Sequence, residues 1–170
     1  QSGVNTANAV ITKLAADGTV CIFTSQATHL IADVVGATPQ ASSLTALTPA
    51  RLVDTRTGTG ATIDDLYEQA GQRTAASTYT VDIAGRGGVP ANATTVVLNV
   101  AAVKPGTGGY LTVHPCAPTT PNSSNLNYIA STNAANLVIT RLDATGAACF
   151  FTSQATDLIV DVVAFYDEDV

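Results

Sequence analysis

The sequence predicts an all-β chain, an antiparallel β-sandwich of Ig-like or jelly-roll-like type. Three observations carry this. Helical periodicity is nearly absent over the 170 residues. The apolar runs are short, rich in Val, Ile, Leu and Thr, and bounded by Gly, Pro, Asn and Asp. Eight such runs follow one another between residues 39 and 170 at the spacing of sandwich strands. A closed barrel is the alternative.

In order, strands are expected near Arg51–Arg56, Tyr79–Ala84, Thr95–Val103, Tyr110–His114, Asn125–Ile129, Asn136–Leu142, Ala148–Ser153 and Leu158–Phe165. Lys104-Pro105-Gly106-Thr107-Gly108-Gly109 ends the third, because Gly supplies positive φ and Pro fixes φ. Asp143-Ala144-Thr145-Gly146 turns the chain between the sixth and seventh. The one helix expected is Ile63–Gln69, where Asp64 and Asp65 suit its N-terminus. The last run, Leu158-Ile159-Val160-Asp161-Val162-Val163, is apolar on both faces and reads as a central strand. Asp161 inside it needs a charged partner. Arg51 or Arg56 is expected to supply one, since an Arg fork satisfies a carboxylate bidentately.

Self-comparison reveals a duplication. Residues 5–36 and 133–164 share 21 identities over 32 positions at a constant offset of 128, without a gap. Phe23-Thr24-Ser25-Gln26-Ala27-Thr28 recurs as Phe151 to Thr156. The chain therefore reads as a complete unit, residues 39–170, preceded by the C-terminal quarter of another, residues 1–38. That quarter offers strands Ala9–Leu14, Val20–Thr24 and Leu30–Val35, too few to stand alone in water. Its apolar positions Ala9, Ile11, Val20, Ile22, Leu30 and Val34 are the expected assembly surface.

Composition narrows the function. Hydrophobic residues make up 46% and charged residues 12%, about half the usual share. Seven Lys and Arg against a net charge of −6 provide no basic stripe for nucleic acid or anionic lipid. No apolar run approaches the ~20 residues of a membrane span. Thr, Ser, Asn and Ala fill the polar positions, which reads as an extracellular surface. The absence of Met suggests a processed or excised chain.

Pro49-Ala50-Arg51-Leu52-Val53-Asp54-Thr55-Arg56 resembles the P-x-R-L-(L/V)-D-T-R signature of a domain repeated in secreted and cell-surface proteins of actinobacteria. Gly85–Pro90, Val97–Val100, Gly109–Cys116, Asn122–Asn127, Cys149 and Ala155–Leu158 extend the resemblance over about residues 46–166. It implies an extracellular, largely β tandem module with no activity to carry over.

The three cysteines fit an oxidising compartment. Cys116 and Cys149 lie in the complete unit and are expected to pair, closing a loop worth roughly 3 kcal/mol. Cys21 stands where Cys149 stands in the second copy, and its own partner is absent. It is free, bridged to another chain, or competing for Cys116.

No enzyme is expected. His114 reads as a surface or half-buried strand residue, and His29 is replaced by Asp157 in the second copy. No G-x-S-x-G elbow, metal-ligand spacing or phosphate-binding glycine loop occurs. Asp167-Glu168-Asp169 reads as a solvated tail. Neither cofactor nor metal is expected. The expected function is a non-enzymatic surface or filament subunit that joins head-to-tail, through its N-terminal strands, to copies of itself. The alternative is a glycan- or cell-wall-binding module using Tyr110 and Tyr128 as platforms.

Overall fold

The computed structural model describes residues 8–32, 34, 37 and 43–166. Among them are eight strands: β1 (Leu44–Asp54), β2 (Ser77–Asp82), β3 (Thr95–Val103), β4 (Gly109–Pro115), β5 (Leu126–Tyr128), β6 (Ala134–Arg141), β7 (Ala147–Thr152) and β8 (Asp157–Tyr166). They form two four-stranded antiparallel sheets, in the orders β1-β8-β3-β6 and β2-β7-β4-β5. This interleaving is that of an eight-stranded jelly roll.

The hydrophobic alternation of each strand explains the layering. Leu52, Leu98, Val100, Val160 and Val162 of the first sheet meet Val81, Leu111, Val113 and Phe150 of the second in one buried core. β8 is central, flanked by β1 and β3. A bulge opposite Val97/Leu98 breaks its alternation. Beyond it Val163 and Ala164 join Val97 on the outer face. Leu44, Leu137, Tyr166 and Ile11 cover that second cluster.

Two expectations are corrected. Residues 63–69 form no helix. Asp65, Tyr67 and Gln69 have positive φ, so every second residue leaves the helical region. Tertiary bonds impose this path: the amide of Ile63 donates to Arg51 O, and that of Gln69 donates to Asp54 O.

Residues 8–32 form no strand either. The topology explains why. In the complete unit β6 pairs with β3, β7 with β2 and β4, and β8 with β1 and β3. None of the three pairs with another of the three, so a segment equivalent to β6–β8 has no ladder to build from its own residues. β6 and β7 belong to different sheets, so the turn at residues 143–146 crosses the sandwich.

Candidate functional site

Chemistry-bearing side chains gather around the end of β1. Arg51 and Asp161 are register partners on β1 and β8. Arg51 Nε donates to Asp161 Oδ1 at 2.8 Å, and Nη2 reaches Oδ2 at 3.4 Å. Arg56 does not contact Asp161. Its Nε and Nη2 grip Asp54 at 2.9 and 2.7 Å, and Arg51 Nη1 adds a third contact at 3.3 Å. Asp54, 0% exposed, is the fully buried carboxylate; Asp161 is only partly covered.

Burial pushes the Asp54 carboxyl up. The Arg56 hydrogen bonds, with the charges of Arg56 and Arg51, overcome this and hold it below the ordinary carboxylate value. Asp54 was missed in the sequence because it closes a strand and is followed by polar Thr55 and Arg56, whereas Asp161 interrupts an apolar run.

A third fork extends the cluster. Arg86 donates to both oxygens of Asp64 at 2.6 and 2.7 Å, and to the carbonyls of Asp82 and Leu52. Its guanidinium lies 4.8 Å from the Tyr67 ring centroid, and the Tyr67 hydroxyl donates to Asp82 Oδ2. Thr55 Oγ1 donates to Asp157 and accepts from the amide of Leu158. These bonds tie residues 55–76 to the sheet ends. Each of these three forks is occupied by carboxylates or carbonyls of the same chain.

Cys116 and Cys149 form a disulfide joining the end of β4 to β7. Their registers explain it, since His114 lies opposite Cys149 and Pro115 opposite Ala148. Cys21 is an exposed free thiol. His114 is buried, not on the surface, with Nδ1 2.7 Å from Pro115 O. Tyr128 is also buried; its hydroxyl bonds Thr152 and Gln154 O, so it offers no glycan platform. Tyr110 is exposed at an open polar cleft with Asn122, Ser123, Ser124 and Asn127. Asp33 and residues 167–169 lie outside the described residues.

The remaining site is residues 8–34. They touch the sandwich through Ile11 on the outer cluster and through Asn8, whose Oδ1 accepts from the amide of Leu137 at 3.3 Å. Ala9, Val20, Ile22, Leu30 and Val34 are exposed. Phe23, Ile31 and Val34 are the extreme cases at 90%, 91% and 92%. One piece of repeat structure survives. Ala15 N donates to Thr19 O and Gly18 N to Ala15 O, both at 2.9 Å. The equivalent Asp143–Ala147 turn has the same two bonds at 2.9 and 3.0 Å. Gly18 and Gly146 match in φ, 80° and 82°.

No family model matches this chain, and no curated protein matches it. No helix among the described residues is long and apolar enough to cross a membrane.

Proposed function

We propose that this is a non-enzymatic, extracellular structural protein, a surface or filament subunit that assembles head-to-tail through residues 8–34. One observation carries the proposal. Positions 10, 14, 20, 22, 30 and 34 are solvent-exposed apolar residues, while their counterparts Val138, Leu142, Ala148, Phe150, Leu158 and Val162 are buried. A surface with the pattern of a core, left uncovered, marks an interaction face. The low charge of the chain suits close lateral contacts, and the resemblance to tandem surface domains agrees with it. The disulfide favours an oxidising compartment.

Electron microscopy of the native material tests this. Filaments or ordered arrays are expected, and the double variant Ile22→Asp/Leu30→Asp is expected to abolish them. Monodisperse single particles in the native material would overturn the proposal.

A second reading, a glycan-binding module, draws on the exposed Tyr110 beside the Asn- and Ser-lined cleft. Binding to cell-wall glycan that disappears in Tyr110→Ala would favour it.

A further inference from the structure

The assembly reading leaves open what covers residues 8–34, and the topology narrows the answer. β8 lies between β1 and β3, and β7 lies between β2 and β4. A β1–β5 half without β6–β8 therefore keeps only its β4–β5 pairing. It has one vacant channel in each sheet. Residues 8–34 carry the side chains and the preformed turn that fill such channels, since Gly18 reproduces Gly146 in φ and Cys21 occupies the position of Cys149.

The β1–β5 half of residues 44–128 is already filled by residues 134–166, so it offers no vacancy to residues 8–34.

We propose that residues 8–34 dock on a second, open β1–β5 half of the same repeat, and that Cys21 locks the joint by a disulfide to that half's Cys116-type cysteine. The proposal rests on the assembly reading and specifies its partner. The pairing follows from the duplication: Cys149 bonds Cys116 across β7 and β4, so its equivalent Cys21 meets the equivalent of Cys116. Chemically, the two thiols exchange with an oxidised low-molecular-weight disulfide such as glutathione disulfide. One protein S–S bond forms and the glutathione S–S bond breaks. The two protons and two electrons leave on two reduced glutathione molecules.

The test uses the full chain with a second copy of its residues 43–132 fused ahead of residue 1, in glutathione redox buffer. The unfused chain titrates one free thiol per molecule, the exposed Cys21. The fused chain is expected to titrate none, and to yield a linked peptide between Cys21 and the added copy of Cys116. Amides of residues 20–34 are expected to exchange roughly 100-fold more slowly than in the unfused chain. A control fusion in which residues 136–162 replace residues 8–34 establishes that the added half folds when completed. If that control folds while the fused chain keeps its free thiol and fast amides, the proposal is overturned. Cys21–Cys21 dimers of the unfused chain that protect residues 20–34 would also overturn it, in favour of an identical copy. Either outcome leaves the microscopy test of assembly standing by itself.

Discussion

At the residue scale, the question is what holds a buried carboxylate at the end of β1. Asp54 is fully covered, and an isolated charge there would carry a large desolvation cost. Two arginine forks offset it, with Arg56 at 2.7 Å as the closer partner. Asp54→Asn removes the charge but leaves both guanidinium groups facing a neutral amide. Breaking a fully buried pair costs about 3–5 kcal/mol, but solvent reaches both arginines, so about 2–3 kcal/mol is expected here. That lowers the melting temperature by roughly 6–12 °C. Arg56→Lys keeps the charge and loses the fork, and should fall between wild type and Asp54→Asn. Thermal denaturation followed by circular dichroism checks the order; an unchanged melting temperature in Asp54→Asn would remove the pair from the stability argument. Asp161 was legible as a charge in need of a partner because Val160 and Val162 flank it. Asp54 was not: the sequence does not reveal that residues 55–76 fold back over it, with the amide of Gln69 donating to its backbone carbonyl.

At the element scale, the duplication gives an internal control. Gly146 and Gly18 occupy the same turn with nearly the same φ. A Cβ on Gly146 would stand 2.5 Å from Ala84 Cβ, whereas a Cβ on Gly18 meets nothing within 4 Å. Gly146→Ala should therefore combine a left-handed backbone cost of about 1–2 kcal/mol with a clash, for a total of about 2–4 kcal/mol. Gly18→Ala should leave the melting temperature of the sandwich unchanged, because residues 15–19 contribute no strand to it. Chemical denaturation of the two variants side by side would show this, and equal losses would contradict it. The comparison also explains which elements the sequence could yield. Short apolar runs bounded by turn residues located all eight strands of the complete unit, because each has a partner in the same chain. The same patterning placed strands over residues 9–35. It failed for the described residues there because a strand exists only with its ladder, and the partners of this segment are already taken. The extension of β1 back to Leu44 was missed for the complementary reason: its pairing with Tyr166 and Phe165 is set by β8, not by its own alternation.

At the scale of the whole molecule, the forks and turns together set a pH window. Asp64 is held below the ordinary value of 3.8 chiefly by its hydrogen bonds from Arg86, and Asp143 chiefly by the Thr145 hydroxyl. Asp54 is also held below 3.8, where burial opposes the arginines and loses to them. For each, the folded pKa is below the unfolded one. Their contribution is fully present above about pH 4 and is lost as pH falls through the folded values. Tyr67 runs the other way. Burial, and then its hydrogen bond to Asp82, raise its pKa above 10.0. Its contribution is complete below pH 10 and is lost as pH rises through the folded value. The melting temperature should therefore be flat from about pH 5 to 9, falling on both sides. The limbs separate by substitution. Asp54→Asn and Asp64→Asn together should reduce the acid limb to the part that Asp143 carries and leave the alkaline one unchanged. Tyr67→Phe should flatten the alkaline limb alone. Melting curves from pH 2 to 11 on the three proteins decide it. An acid limb of undiminished depth in the double variant would mean that the arginine forks do not set the acid stability of the sandwich. Asp17 is also held below 3.8, chiefly by the Thr19 hydroxyl, but that bond lies within the exposed turn at residues 15–19, so Asp17→Asn should leave the acid limb of the sandwich in place.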